Sequence, residues 1–274
     1  MAEQGRTLAE VRLGFVGAGS MGGAIIRGLT AAGVPRENLI FFDPDPSRQE
    51  GMEALGVKAA LDYGEVMHAP VVVLAVKPQV MPGVLRDLKP LARARHLLIS
   101  VAAGVTLATL EAAFPESRVI RAMPNAPATV GAAMTAICLG SRATPEDEAL
   151  ALKLFDGVGL AGAVDEKLMD AVTGLSGSGP AFVAVFIEAL ADGGVKVGLP
   201  RALALTLAAQ TVLGAARLCL ESGITPGALK DQVASPGGTT IEGLHVLERT
   251  GFRGAVISAV EAATRRSREL GRKD

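Results

Sequence analysis

Residues 14–24 read GFVGAGSMGGA, and within them Gly17, Gly19 and Gly22 fall in the spacing G-x-G-x-x-G. In a chain with 33 glycines that spacing alone says little. Its setting says more. The apolar run Val11–Val16 (VRLGFV) precedes it and reads as a strand, and Met21–Ala32 follows as a helix stopped by Gly33. In a strand–turn–helix, Gly17 permits the tight turn and Gly19 lets a pyrophosphate approach the backbone. Gly22 lets helix and strand pack closely. The N–H groups at the start of the helix then face phosphate. The first half of the chain therefore reads as a dinucleotide-binding unit.

The neighbouring segments extend that reading. NLIFFD is a second strand ending at Asp43. Asp43 follows Gly22 by about 20 residues, where an acid binds the ribose hydroxyls of NAD and repels the extra phosphate of NADP. Arg48, shortly beyond, partly counters that repulsion. Asp43 also reads as a turn former, because DPDPSR is a turn with two prolines before a helix at Arg48–Leu55. VVVLAV (Val71–Val76) is apolar on both faces, as a strand inside a parallel sheet should be. HLLISVAAG and RVIRAMP repeat the theme. Strand and helix alternate to about residue 160, which predicts an open parallel sheet with helices on both faces. AVKPQ, SVAAG and MPNAP fall at strand carboxyl ends, where open sheets bind ligands. They place Lys77, Pro78 and Asn125 as candidate cofactor residues.

From Glu166 onward no strand is expected. PAFVAVFIEALADGGVKVGL and RALALTLAAQTVLGAARLCLES are apolar on nearly all sides. Such helices must be covered all round, and a partner subunit is the economical cover. The division expected is 1–165 for the α/β domain and 166–274 for an all-helical domain.

The chain has 274 residues, 49% of them hydrophobic, which suits two domains with sizeable cores. With 27 Lys+Arg against 28 Asp+Glu, its net charge of −1 offers no field for nucleic acid or an anionic membrane. Aromatics are 3% and Trp is absent, so there are few surfaces for bases to stack on. Cys138 and Cys219 suit neither a metal site nor a disulfide framework, and read as reduced thiols of a cytoplasmic protein. His68, His96 and His245 are scattered and read as surface or capping residues. Ala202–Leu220 is the most membrane-like stretch, but Gln210 and Arg217 interrupt it, so it reads as a helix buried in protein. The start, MAEQGRTLAEVR, carries acids and no apolar core, unlike a signal peptide. The terminal RRSRELGRKD reads as a solvated helix end.

Two further clusters carry polar donors. AVTGLSGSGPAFV (Ala171–Val183) opens an apolar helix with Pro180 in its first turn. SPGGTT (Ser235–Thr240) precedes IEGLHVLERT and contains no acid, base or thiol. Each reads either as an anion site at a helix start or simply as a cap.

Taken in order, GFVGAGSMG, AVKPQ, SVAAGVTL, RAMPNAP, AVTGLSGSGPAF, ALADGGVKVGLPR, PGALKDQVASPGGTTIEGLHVLE and GFRGAVISAVEAAT resemble pyrroline-5-carboxylate reductase over nearly the whole chain. The resemblance implies reduction of Δ1-pyrroline-5-carboxylate to L-proline by NADPH or NADH, the last step of proline synthesis. It implies an N-terminal Rossmann domain, a helical dimerisation domain, and dimers assembled into a larger ring such as a decamer. It carries cofactor roles to Phe15, Val16, Gly17, Ala18, Gly19, Ser20 and Met21, to Ala75, Val76, Lys77 and Pro78, and to Ala102 and Ala103. It carries substrate roles to Ser235, Gly238, Thr239 and Thr240, with Glu166 a contributor. Of these, Thr240 and Ser235 are the candidate catalytic residues, and no metal is implied.

A cyclic imine bearing a carboxylate is, once protonated, already electrophilic at its C=N carbon. Its site needs a carboxylate clamp and a partner for nitrogen, which N–H and hydroxyl groups supply by position and electrostatics. Asp43 stands where the family often has a small polar residue, and Ala126 where Thr is common. The competing readings are a β-hydroxyacid dehydrogenase and a dinucleotide-binding sensor without turnover. The first needs a catalytic Lys with an Asn one helical turn later, and no lysine here has one. The second would not need the clustered donors.

Overall fold

The structure is a computed structural model and describes residues 8–271. Residues 1–7 of the N-terminal segment and residues 272–274 of the basic tail lie outside the described residues. The chain separates into two compact units, one running through Gly177 and resuming at Ala263, the other Ser178–Ala262.

The first unit is built on one eight-stranded sheet in the order β3-β2-β1-β4-β5-β6-β7-β8. Its strands are β1 (Leu13–Val16), β2 (Leu39–Phe42), β3 (Lys58–Ala59), β4 (Val71–Leu74), β5 (Leu97–Ser100), β6 (Arg118–Met123), β7 (Ala133–Leu139) and β8 (Gly159–Ala163). β1, β4 and β5 are buried along their whole length, which is why their sequences are apolar without alternation. The helices of this sheet are α1 (Ser20–Ala31), α2 (Pro46–Glu53), α3 (Tyr63–Val66), α4 (Met81–Leu88), α5 (Leu107–Ala113) and α6 (Pro145–Asp156). On one face Ile25, Ile26 and Leu29 of α1 pack with Phe15, Val73, Leu154 and Phe155. On the other, Met81, Val84 and Leu88 of α4 pack with Val72, Leu74 and Leu98. β1 pairs with β2 on one side and β4 on the other, so the strand order reverses at β1 and opens a crevice at its carboxyl end.

Three details differ from the sequence reading. The sheet is mainly parallel, but β7 runs antiparallel to β6. Only residues 124–132 join them, and a parallel crossover needs about a dozen or more. Helix α2 begins at Pro46, inside the expected DPDPSR turn, because the Asp45 side chain accepts from Ser47 N–H and caps it. The two-residue edge strand β3 carries no apolar run that would announce it.

After β8 the chain is helical. α7 (Met169–Val172) passes through a π-helical turn, Thr173–Gly177, into α8 (Gly179–Lys196). Then follow α9 (Arg201–Ser222), α10 (Pro226–Val233), α11 (Thr239–Arg249) and α12 (Phe252–Gly271). Within the second unit α8 and α9 meet through small residues, with Ala191, Ala204 and Ala208 buried beside Ile187 and Val195. Most of the larger side chains face outward: Leu207 is 48% exposed and Leu213 51%. Glu166–Lys196 and Arg201–Ser222 are long and apolar enough to cross a membrane by length and composition alone, and little of either is covered within the chain.

Candidate functional site

The loop after β1 is possible only with glycine. Gly17 has φ +96°, and a Cβ there would lie 2.7 Å from the carbonyl oxygen of Ala75. A Cβ on Gly22 would lie 2.1 Å from the carbonyl oxygen of Gly17. The loop is tied sideways as well: Gly17 N–H donates to Phe42 O at 2.8 Å, and Ala75 N–H to Val16 O at 2.8 Å. Gly19 is the N-cap of α1 and no side chain caps it, so amides of the first turn are left for solvent or an anion. These features fit a dinucleotide pyrophosphate.

The remaining cofactor candidates fall in a row at the carboxyl ends of adjacent strands. Phe15 and Val16 are buried in β1 and present only backbone. Ser20 and Met21 open α1. Ala75, Val76, Lys77 and Pro78 follow β4, with Lys77 exposed. Ala102 follows β5, its N–H 3.4 Å from Ser100 Oγ, and Ala103 beside it is exposed.

Asp43 behaves otherwise than expected. The residue is 2% exposed and its carboxylate is held by groups of the protein. Oδ2 accepts Ala18 N–H at 2.8 Å and Arg48 Nη1 at 3.2 Å, while Oδ1 accepts Asp45 N–H at 3.0 Å. A buried carboxylate must be paired, and the loop amide and the arginine satisfy this one.

Asn125 and Glu166 are likewise occupied. Asn125 donates through Nδ2 to the carbonyl and hydroxyl oxygens of Ser176, both at 3.2 Å, and accepts Met134 N–H at 3.0 Å. Glu166 Oε1 accepts Leu107 N–H at 2.7 Å and Arg121 Nη1 at 3.0 Å. Both side chains therefore brace loops at the strand ends. Arg121 was not singled out in the sequence, though a charge in the middle of the apolar run RVIRAMP demands a partner. Ser176 was singled out only as part of the SGSGP cluster, and its pairing with Asn125 could not be read because the two are distant in the chain.

The SGSGP cluster opens α8 as expected, with Ser178 at the N-cap and Pro180 in the first turn, but the π-helical turn Thr173–Gly177 leads directly into it. π-helical turns are frequent at functional sites. In the second unit SPGGTT also opens a helix. Gly237 has φ +66°, Gly238 N–H donates to Ser235 O at 3.0 Å, and Gly238 is the N-cap of α11 with no side-chain cap. Ser235 and Thr239 are exposed and Thr240 half-buried. The amides of the first turn of α11 and these hydroxyls together make a donor set for a carboxylate.

His96, expected at the surface or in a cap, is a buried cap: its Nδ1 accepts Arg93 N–H at 2.9 Å, which leaves Nε2–H to donate to Met67 O at 3.0 Å. Burial lowers its pKa. Cys138 is buried opposite Arg121 in the sheet register, and desolvation, with Glu166 adding, pushes its thiol up to about 12, so it is no nucleophile. A surface cavity of about 550 Å³ lined by Leu61, Asp62, His68, Arg93 and Arg95 lies at the opposite, amino-terminal ends of β4 and β5.

Comparison with known proteins agrees with this geometry. Residues 166–270 match the family model for pyrroline-5-carboxylate reductase dimerisation. Residues 12–104 match that for NADP oxidoreductase, coenzyme F420-dependent. Pyrroline-5-carboxylate reductase of Pisum sativum is 50% identical over 260 residues, covering 94% of this chain and 95% of the relative. That of Methanosarcina acetivorans is 50% identical over 266 residues, covering 96% and 98%. Among solved structures, a pyrroline-5-carboxylate reductase from Coxiella burnetii superposes with a TM-score of 0.90 at 35% identity, covering 95% of this chain and 98% of that one. The Plasmodium falciparum enzyme, solved with NADP bound, superposes with 0.85 at 34% identity, covering 97% and 100%.

Proposed function

This chain belongs to the pyrroline-5-carboxylate reductase family, and we propose that it reduces Δ1-pyrroline-5-carboxylate to L-proline with NADPH or NADH, as the last step of proline synthesis. The observation that carries the reading is the donor-rich SPGGTT turn, itself free of acid, base and thiol, which opens α11 ahead of Glu242, in a chain that also holds a glycine-only dinucleotide loop. A turn without base or nucleophile suits a substrate that is electrophilic before it binds.

The bound dinucleotide supplies the hydride. The chain's own residues supply place and charge. Residues Phe15–Met21, Ala75–Pro78, Ala102 and Ala103 hold the dinucleotide, with Asn125 and Glu166 keeping the surrounding loops in position. Ser235 and the N–H groups of Gly238 and Thr239 hold the substrate carboxylate. Thr240 pairs with the ring nitrogen, steadying the iminium before reduction and the amine after it. Charge that shifts on that nitrogen thus meets fixed dipoles, with no reorganisation of solvent.

Residues 166–270 are a dimerisation segment, and a second copy covers the outward leucines of α8 and α9. We extend this to a larger ring such as a decamer, to a cytoplasmic location, and to a functional boundary between residues 165 and 166. The deciding experiment is steady-state reduction of pyrroline-5-carboxylate with each dinucleotide in parallel, with L-proline identified by chromatography. Dinucleotide oxidation without proline, or no turnover with either, would overturn the reading.

A further inference from the structure

The end of β2 carries a charge arrangement that the glycine motif does not announce. Asp43 sits where a free carboxylate would accept ribose hydroxyls and repel a 2′-phosphate. Here it is not free. Three donors occupy it, from Ala18, Asp45 and Arg48, and the residue is 2% exposed. Gln49 Nε2 donates to its carbonyl oxygen at 2.6 Å and closes the turn. What this turn shows to solvent is the Arg48–Asp45 pair, with side chains 44% and 42% exposed.

Arg48 also lies close to the loop. A Cβ on Gly19 would be 3.4 Å from its Nη1. Gly19 is the position at which a pyrophosphate meets the backbone, so the guanidinium stands within reach of the ribose attached to that pyrophosphate. Its Nη1 is held by Asp43 and its Nε lies 3.3 Å from Asp45 Oδ2. That leaves Nη2 donors in a fixed fork, the geometry that suits phosphate. With two aspartates to one arginine the three side chains sum to a net negative charge. The aspartates also fix the arginine, so attraction for a phosphate comes from hydrogen bonds with its Nη2 donors at contact.

We infer that Arg48 reads the 2′ position of the adenosine ribose and favours the phosphorylated dinucleotide. Asp43 is the positioning residue that holds both Arg48 and the glycine loop. The inference rests on the dinucleotide site proposed above and concerns which dinucleotide that site selects. It reverses the simpler expectation that an acid at the end of β2 favours NADH.

The test uses two unreactive fragments, adenosine 2′,5′-bisphosphate and adenosine 5′-monophosphate, titrated calorimetrically into the full-length protein. Arg48→Gln should weaken the bisphosphate about ten- to a hundredfold, as expected for losing hydrogen bonds to a charged group. It should leave the monophosphate within about threefold, and kcat/KM should shift toward NADH by a similar ratio. Arg48→Lys should recover part of the bisphosphate affinity, because the charge stays and the fork is lost. Asp43→Asn should weaken both fragments, because the loop itself loosens. An Arg48→Gln variant that weakens both fragments equally, or neither, overturns the inference while leaving the dinucleotide site standing. A wild-type protein that binds neither fragment nor either dinucleotide overturns both.

Discussion

Arg121 and Glu166, 45 residues apart in sequence, form an ion pair at 3.0 Å, and the same glutamate oxygen takes Leu107 N–H at 2.7 Å. The arginine side chain is only 7% exposed. One carboxylate thus ties β6, the start of α5 and the first residue of the dimerisation segment. Glu166→Gln keeps an acceptor for Leu107 and leaves Arg121 buried without a counter-charge. Glu166 is itself 34% exposed, so water offsets part of the loss. The expected cost is about 1–3 kcal/mol of unfolding free energy. Denaturant titration of wild type and variant measures it. An unchanged midpoint would mean that the pair contributes nothing net.

Much of this architecture was legible because its causes are local. Gly17 and Gly22 are forced by contacts a Cβ could not survive, and such positions show as a glycine spacing. The buried strands β1, β4 and β5 show as apolar runs. What was not legible depends on partners brought together by folding. The direction of β7 follows from the short connection between two strands, and β7 itself was not read as one. Asp43 in the sequence is an acid at the right distance, and only the fold turns its carboxylate toward Ala18. The SGSGP cluster does start α8, yet the π turn that leads into it has no signature in the sequence. SPGGTT opened a helix as read, because Gly237 at φ +66° breaks the chain there.

Asn125 joins Ser176 to β7, donating to the serine and accepting from Met134. Asn125→Asp preserves the acceptor and removes both donated bonds. The carboxylate then faces the Ser176 carbonyl with no proton between them at neutral pH, while the Ser176 hydroxyl turns to donate to it. The π turn should loosen, with kcat falling about tenfold and thermal stability dropping. Asn125→Ser, which keeps a donor of smaller reach, should lose less. If Asn125→Asp keeps both kcat and melting temperature, the bridge to Ser176 is dispensable.

His96 sets an acid limit on the first unit. Its folded pKa lies below the usual 6.5, chiefly because it is buried. The unfolded chain therefore binds more protons as pH falls below about 6.5, and stability declines from there downward. At neutral pH its contribution is fully present. His96→Asn keeps an acceptor for Arg93 and a donor for Met67 without titrating. The variant should be less stable at pH 7 and should lose less on going to pH 5. Unfolding curves at the two pH values give the comparison, and parallel losses would exclude His96 as the source.

The leucines of α9 predict an assembly that cannot be diluted into a working monomer. Leu213 is 51% exposed within one chain. A glutamate there would put a charge into the interface between copies, where an unpaired buried charge costs several kcal/mol. Leu213→Glu should shift the molar mass in light scattering toward the monomer and remove activity with it. An active monomer, of wild type or variant, would show that α9 is covered in some other way.

Thr240 offers the sharpest test of the substrate site. It lies in the first turn of α11, whose N-cap is a glycine without a side-chain cap. Among Ser235, Thr239 and Thr240, Thr240 alone is half-buried, as a hydroxyl reaching an enclosed ligand should be. Thr240→Val keeps the shape and removes the hydroxyl. A hydrogen bond to a charged group is worth about 1.5–3 kcal/mol, so kcat/KM should fall roughly ten- to a hundredfold. Dinucleotide affinity should stay near that of wild type, because the loss falls on the iminium and not on the cofactor. Removing the carboxylate clamp instead, by Ser235→Ala, should raise KM more than it lowers kcat. Unchanged kcat/KM in Thr240→Val would assign the hydroxyl to the helix start alone, and a loss of dinucleotide affinity would assign the turn to the other ligand.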